Sequence, residues 1–294
     1  MAAYGGDASS AEARRRSKLS AGPHHRDREL APLDKDRILS CLGTRWLGRD
    51  LRLFAQLAST NELAISLAQK GESGTVILAE VQTRGRGRLS RHWESPSGGI
   101  WMSLILRPDI PIALAYQINM AICVAVCRAI SNLLGLNPGI KWPNDLLIGE
   151  RKVGGILMEV QAEGERLEYA VVGVGINANI DPSAFPDDWM ATSLSQEGGS
   201  EVSRTALIQR TLLEIERAYE NLGSMEIYDE WRRRSVTIGR MVRISANSGE
   251  LVGEVEDLAE DGALLLRRDD ELVRVLAGDC IHLRGLGGQW ERSG

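Results

Sequence analysis

The longest apolar stretch of the chain, "IALAYQINMAICVAVCRAISNLLGL" at 112–136, limits what the sequence can fold into. A stretch of this length either crosses a membrane or forms the central helix of a large core. A membrane span would tolerate its polar residues poorly, and these are Gln117, Asn119, Arg128 and Asn132. Its apolar residues recur at helical spacing. The pattern therefore predicts a core helix in a protein that does not insert into a membrane.

Helix and strand patterns lie on both sides of this segment. Helical spacing covers 34–42, 60–70 and 203–222, and the second of these helices follows a capping Ser59 or Thr60. Strand-like apolar runs cover 75–82, 99–108 and 167–180, and 139–161 predicts a strand, a Pro-Asn turn and a hairpin. This mixture indicates an ordered domain of helices and strands at 34–234.

The sequence patterns at the two ends of the chain differ from those of the middle. Short strand patterns from Ser235 onward, with turns at Asn247–Gly249, Asp261–Gly262 and Asp269–Asp270, predict a small β-barrel at 235–294. Residues 1–33 are rich in Gly, Ser, Ala and charge without apolar periodicity, so we expect a disordered tail there. No apolar segment follows the Arg14–Arg16 run, which disfavours a secretory or twin-arginine signal and leaves a transit peptide open. The four cysteines are expected to be reduced thiols in a cytoplasmic protein.

Charge and cysteine content exclude some classes of function. The chain of 294 residues has 35 Lys and Arg against 40 Asp and Glu, a net charge of −5, so no long-range positive field attracts a polyanion. A protein that coats nucleic acid is therefore disfavoured. The four cysteines show no paired C-x-x-C spacing, which disfavours a zinc site or a disulfide framework.

The segment "QTRGRGRLSRHW" at 82–93 places four arginines beside two glycines. Glycine permits close backbone approach, and the guanidinium fork suits phosphate or carboxylate oxygens. A loop that holds one small anion, a solvated basic loop and a nucleic-acid-binding segment all remain open. The last is disfavoured because the run is short, has few aromatic residues and lies in an acidic chain.

Two further segments carry candidate chemistry. "KWPND" at 141–145 and "KVGG" at 152–155 bring Lys141, Asp145 and Lys152 onto adjoining strands, where Asp145 suits Mg²⁺ beside a nucleotide's phosphates. Exposed strand ends and a turn-forming aspartate are the alternative. "GVGINAN" at 173–179 matches neither G-x-G-x-x-G nor a P-loop, so it indicates either a ligand-facing strand end or glycines needed for packing.

Taken in order, these motifs resemble those of biotin protein ligases. They are "STN" at 59–61, the arginine loop at 82–93, "SPSGGIWMS" at 95–103, "KWPND", "KVGGILME" at 152–159 and "GIN" at 175–177. The resemblance covers roughly residues 50–285. Each motif alone is weak, but the ordered set is specific.

The resemblance implies a fold and an activity. The fold is α+β and class II synthetase-like: a mixed, largely antiparallel sheet with flanking helices, followed by a small SH3-like C-terminal barrel. The implied enzyme uses ATP with Mg²⁺ to join biotin to AMP, then transfers biotin to a lysine of a biotin carboxyl carrier protein or domain. Family members are monomers or dimers, and this sequence leaves a homodimer open.

The resemblance also implies roles for particular residues. Lys152, Arg86 and Arg88 correspond to the catalytic cations. The biotin-binding residues would be Ser59, Thr60, Asn61, Gln82, Gly85, Arg86, Gly98, Gly99, Lys152 and Gly154. The nucleotide-binding residues would be Arg86, Arg88, Trp93, which is expected beside the adenine, Lys141, Asn144, Lys152 and Asn177. Asp145 would hold the metal.

Departures and rival interpretations complete the prediction. Ser90 stands where the family often has glycine, and the ordered segment at 34–58 is too short for the winged DNA-binding module of some members, so we expect a ligase that binds no nucleic acid. The "RRxSGGG" loop typical of lipoate ligases is absent. A nucleic-acid-binding module using 84–92 and a non-catalytic protein that binds a partner through its barrel are the remaining alternatives.

Overall fold

The long apolar segment forms a buried helix, as predicted. In the computed structural model, which describes residues 31–186, 189–246, 249–286 and 289–292, this helix is α3 and begins at Tyr116, after a separate 3-10 turn at Ile112–Leu114. The segment is long and apolar enough to cross a membrane, but most of its side chains pack inside the protein. Within the described residues the α-helices are α1 (Lys35–Ser40), α2 (Thr60–Ala68), α3 (Tyr116–Leu134), α4 (Leu194–Gly198), α5 (Arg204–Glu220) and α6 (Met225–Arg233).

Seven strands form the first sheet. In chain order they are β1 (Leu51–Leu57), β2 (Val76–Gln82), β3 (Ile100–Leu106), β4 (Gly139–Lys141), β5 (Asp145–Ile148), β6 (Arg151–Glu163) and β7 (Arg166–Ile176). Their order across the sheet is β1-β2-β3-β7-β6-β5-β4, and β1 pairs with β2 in parallel while every other pair is antiparallel. The predicted mixed, largely antiparallel sheet is thereby confirmed.

Alternating side chains direct the two faces of this sheet to different helices. Val76, Leu104 and Val172 join the main core, which contains the buried residues of α3 and α5. Their strand neighbours Ile77 and Ile105 pack instead against Ala64, Leu67 and Ala68 of α2. Since successive residues of a strand point to opposite faces, one run of apolar residues serves both layers.

The second sheet contains six antiparallel strands. They are β8 (Met241–Ala246), β9 (Gly249–Leu258), β10 (Leu264–Arg268), β11 (Glu271–Val275), β12 (Asp279–Leu286) and β13 (Gln289–Arg292), in the order β11-β10-β9-β8-β12-β13. This arrangement agrees with the expected SH3-like barrel. Its apolar residues belong to the same core cluster as α3, and residues 32–294 form one compact unit, so the domain border at Ser235 stays a prediction.

The "KWPND" turn and the C-terminal sheet meet at an interface around Trp142, referred to below as the seam. The indole nitrogen of Trp142 donates to the carbonyl of Gly262 at 3.0 Å, and the backbone N–H of Trp142 donates to Thr237 Oγ1 at 2.9 Å. A Cβ on Gly262 would overlap the ring of Tyr116. Tyr116 in turn donates to the carbonyl of Pro143 at 3.1 Å, in a turn whose Trp142–Pro143 peptide is cis.

Several predicted boundaries were wrong, and some elements were missed. The strand expected to run to residue 180 ends at Ile176, and the first helix ends at Ser40. No element was predicted at β1, α4 or α6. The predicted disordered tail lies outside the described residues except for 31–33, and so do two residues of the predicted Asn247–Gly249 turn.

Candidate active site

A cavity of about 150 Å³ opens on the α2 face of the first sheet. Three glycines on this face, Gly155, Gly173 and Gly175, lie side by side on β6 and β7, where larger side chains would fill the space. A Cβ on Gly173 would overlap Asn61 Oδ1, and one on Gly175 would lie 3.0 Å from the Trp93 ring. The hollow therefore depends on the glycines of the two strands, including two from "GVGINAN".

The structure brings most of the predicted site residues together at this cavity. The predicted residues that line it are Ser59, Thr60, Asn61, Gln82, Arg86, Arg88, Trp93, Asn144, Asp145 and Lys152. The four predicted glycines do not line it. Gly85 lies against the carbonyl of Trp93, and Gly98 and Gly99 are buried. Gly154 pairs with Leu146 on one side and Ile176 on the other.

A chain of hydrogen bonds covers the floor of the cavity. Ser103 Oγ lies 2.6 Å from Asn61 Oδ1 and 2.7 Å from Thr60 Oγ1. Gln82 Oε1 accepts from the backbone N–H of Thr60 at 2.8 Å, and Gln82 Nε2 donates to Ser95 Oγ at 2.8 Å. These hydroxyls and amides offer both donors and acceptors to an uncharged polar group. Both Ser95 and Ser103 lie in the "SPSGGIWMS" motif, but neither was predicted to act in the site.

Glu159 continues this chain to the arginine loop. Its Oε2 accepts from Asn61 Nδ2 at 2.8 Å, and its Oε1 lies 2.8 Å from Arg86 Nη2. One carboxylate thus joins the polar floor to the predicted catalytic arginine. Glu159 stands at the end of "KVGGILME" and was not predicted to act in the site.

The arginine loop is held on its other side by the second sheet. Arg88 donates to Gly278 O at 3.0 Å and to Asn144 Oδ1 at 3.3 Å, while Arg91 makes two contacts of 3.0 and 2.5 Å to the carboxylate of Asp279. The Asp279 carboxylate raises the pKa of Arg91. Between them, Leu89 and Ser90 adopt φ of 54° and 58°, which favours glycine, so Ser90 takes that backbone shape without the usual residue.

Lys152 and Asp145 form an ion pair beside the cavity. Lys152 Nζ lies 2.6 Å from Asp145 Oδ1 and 4.9 Å from the centre of the Trp93 ring. Trp93 also meets Trp101 edge to face, with ring centres 6.4 Å apart. The ring therefore lies beneath the ammonium group, where an aromatic face favours a cation. The predicted convergence of Lys152 with Asp145 is thereby observed.

A second cavity, of about 740 Å³, adjoins the first. Predicted Lys141 and Asn177 lie here and not in the first cavity, together with Arg240 and His282. Asn177 Nδ2 donates to the carbonyl of Thr192 at 3.0 Å, so part of its amide fixes the neighbouring loop. Residues that line both cavities form a shared wall, and they are Arg91, His92, Trp93, Asp145, Lys152, Asp279 and Cys280.

An exposed aromatic pair belongs to the second cavity. Trp189 is 42% exposed and stacks on Phe185, with ring centres 6.1 Å apart and planes 20° from parallel. Large aromatic faces that remain open in a cavity suit planar ligands. Sequence reasoning assigned no role to Trp189, since it lies in an irregular segment outside the quoted motifs.

Burial and neighbouring charge act on two titratable groups of the second cavity. Burial lowers the pKa of His282 to about 4, aided by the positive charges of Lys141 and Arg240. Burial raises the pKa of Cys280 to about 12, so its thiol stays protonated. Neither group was predicted from the sequence.

The described residues contain no cluster of three or more His, Cys, Asp or Glu side chains that could hold a metal ion. Asp145 lines both cavities but belongs to no such cluster. A single carboxylate fits Mg²⁺, which commonly keeps its waters and takes its other ligands from substrate phosphates.

Comparison with known proteins gives two family matches along the chain. Residues 53–177 match the biotin/lipoate A/B protein ligase family, and residues 237–283 match the biotin protein ligase C-terminal domain. The two matched segments correspond to the first sheet with its cavity and to the second sheet.

Individual relatives cover most of the chain. The biotin–[acetyl-CoA-carboxylase] ligase of Mycobacterium tuberculosis is 34% identical over 88% of this chain and 99% of its own length. The bifunctional ligase/repressor BirA of Bacillus subtilis is 38% identical over 84% of this chain and 78% of its own length. A solved structure of the Aquifex aeolicus biotin protein ligase with biotin and ATP superposes with a TM-score of 0.67, at 26% identity, covering 81% of this chain and all of that one.

Proposed function

Since this chain belongs to the biotin protein ligase family, we propose that it activates biotin with ATP and transfers the biotinyl group to a lysine of a carrier domain. In the first step a carboxylate oxygen of biotin attacks the α-phosphorus of ATP, the bond to the β-phosphate breaks, and pyrophosphate leaves. In the second step the lysine amine attacks the carbonyl carbon of biotinyl-AMP, releases AMP and loses a proton.

The shared wall of the two cavities carries this proposal. The first step joins a carboxylate to a phosphate, so two substrates must meet at one cationic point. Lys152 lies at that boundary, 2.6 Å from Asp145 and above Trp93, and lines both cavities. We assign the first cavity to biotin and the second to the nucleotide.

The polar floor suits the ureido head of biotin. That group is uncharged and offers both N–H donors and a carbonyl acceptor. Buried Thr60 and Asn61 and partly buried Gln82 present hydroxyl and amide groups in the same cavity as Lys152. Biotin with its ureido head on this floor directs its carboxylate toward the shared wall.

The nucleotide is assigned to the larger cavity by its size and its lining. Lys141 and Arg240 supply positive charge for phosphates, while Trp189 supplies an open aromatic face for the adenine. The expectation that Trp93 lies beside the adenine stays a prediction, and its ring packs beneath Lys152. Mg²⁺ would come with ATP and be held by Asp145, where it would neutralise phosphate charge.

The pairing of the loop arginines supports a small ligand over nucleic acid. Arg86 is held by Glu159, Arg88 by Asn144 and Gly278, and Arg91 by Asp279. A site for polyanions would present such groups outward along one face. We accordingly propose no nucleic-acid partner. The acceptor is a biotin carboxyl carrier domain, in line with the acetyl-CoA carboxylase in the names of relatives.

Location and assembly are proposals of the same kind. We place the enzyme in the cytoplasm, in keeping with its four free cysteines. A monomer and a homodimer are both compatible with the proposed reaction.

The test is transfer of labelled biotin to a carrier-domain fragment in the presence of Mg·ATP, with lipoate as the competing substrate. We expect transfer by the unaltered chain and a loss of about a hundredfold or more in Lys152→Ala, because a cation at the reacting centre contributes several kcal/mol. Lys70→Ala is the matched control, since Lys70 is exposed and outside both cavities. Absence of biotinyl-AMP and of transfer would refute the proposal, and preference for lipoate would redirect it.

A further inference from the structure

Arg86 reaches its place in the site through one ion pair. Its guanidinium lies 2.8 Å from Glu159 Oε1, and its side chain is 42% exposed. Its backbone bridges only to His92 within the same loop. A long side chain on such a loop has many rotamers, so a partner from the rigid part of the fold decides where its charge lies.

Glu159 is itself fixed by a buried amide. Its second oxygen accepts from Asn61 Nδ2 at 2.8 Å, and Asn61 is 4% exposed. Asn61 Oδ1 accepts from Ser103 at 2.6 Å and packs on Gly173, where a Cβ would overlap it. Ser103 holds the amide of Asn61 in place, and Asn61 in turn orients the Glu159 carboxylate that contacts Arg86.

The arginines of the loop at 82–93 contact two different parts of the fold. Arg91 contacts Asp279, while Arg88 contacts Gly278 and also Asn144 in the turn before β5. Arg86 contacts Glu159 on β6. Glu159 therefore connects the arginine loop to the floor of the first cavity, where biotin is proposed to bind.

We propose that Glu159 is a positioning residue that holds Arg86 over the first cavity and so retains biotinyl-AMP until the acceptor lysine arrives. The carboxylate contacts the loop and the floor, and acts on the intermediate through Arg86. The inference rests on the proposed function, because it concerns the intermediate of that reaction.

The variant Glu159→Gln isolates the charge. Glutamine keeps the length of the side chain and still accepts from Asn61 through its carbonyl, but its amide cannot form an ion pair with Arg86. We expect release of labelled biotinyl-AMP to accelerate by up to about fivefold, the limit for a partly exposed ion pair. Glu163→Gln, exposed at the end of the same strand, is the matched control.

A double-variant cycle separates positioning from a merely structural role. If Glu159 acts through Arg86, the double variant of Glu159→Gln with Arg86→Gln releases the intermediate no faster than Arg86→Gln alone. Additive effects, or release from Glu159→Gln at the rate of Glu163→Gln, would overturn the inference while leaving the ligase activity intact. If the unaltered chain formed no biotinyl-AMP, the proposed function itself would fall, and this inference with it.

Discussion

Lowering the pH from 6.5 to 4 tests the burial of His282 at the seam between the two sheets. Burial lowers the pKa of this imidazole from 6.5 to about 4, with Lys141 and Arg240 adding to the shift and Asp145 opposing it. Its ring lies 3.2 Å from Thr237 Oγ1. The folded protein therefore favours the neutral ring, whereas the unfolded chain takes up a proton near pH 6.5.

The sign and size of the effect follow from proton linkage. Between pH 6.5 and pH 4 the unfolded chain binds one more proton at this residue than the folded chain, so the free energy of unfolding falls as the pH falls. The contribution is fully present above pH 6.5. A shift from 6.5 to about 4 corresponds to about 3 kcal/mol, most of it lost by pH 4.

Urea unfolding of the full chain at pH steps from 7.5 to about 4.5 measures this loss. We expect His282→Gln to remove most of the dependence between pH 6.5 and 4.5, because the amide does not titrate. Carboxylates with lowered pKa, such as Glu80 and Glu230, lose their contribution mainly below about pH 4.5. His92→Gln, which removes a half-exposed histidine, is the control. An unchanged slope in His282→Gln would refute the reasoning.

Two substitutions test the packing and the charge network directly. Gly173→Ala should weaken biotin binding at least tenfold in calorimetry, because the added methyl displaces Asn61 and costs at least one hydrogen bond. Gly198→Ala is the control, since a methyl fits there and should leave biotin affinity unchanged. Equal biotin affinities of the two variants would contradict the proposed floor. Glu230→Gln should lower the free energy of unfolding by about 3 kcal/mol, because two arginines lose a largely buried partner. Asp279→Asn, whose arginine partner is mostly exposed, should cost less than about 1 kcal/mol, and similar losses in the two variants would contradict this account.

Local patterns predicted the elements whose signal is continuous along the chain. The spacing within 112–136 predicted α3, and the Gly149 turn predicted the β5–β6 hairpin. The β1 strand was missed because its burial does not alternate and most of its residues are only partly buried. The short 3-10 turn before α3 was merged with the helix, since the apolar run continues across it.

Contacts between distant residues were beyond the reach of such patterns. Glu159 lies 73 residues from Arg86 and 98 from Asn61, and Asp279 lies 188 residues from Arg91. Strand order and register decide these pairs, and neither follows from the local sequence. The ordered motifs identified most residues of the first cavity, while the division into two cavities required the fold.

The seam at Trp142 also sets a rule for building chimaeras. The indole of Trp142 requires the carbonyl of Gly262, while the ring of Tyr116 occupies the space that any other residue at 262 would need. A C-terminal barrel taken from a related protein would therefore be interchangeable only if its corresponding turn left the same gap and presented a carbonyl there. Parts exchanged without that match would produce a chain whose two halves fold against one another poorly, whatever the quality of the active site.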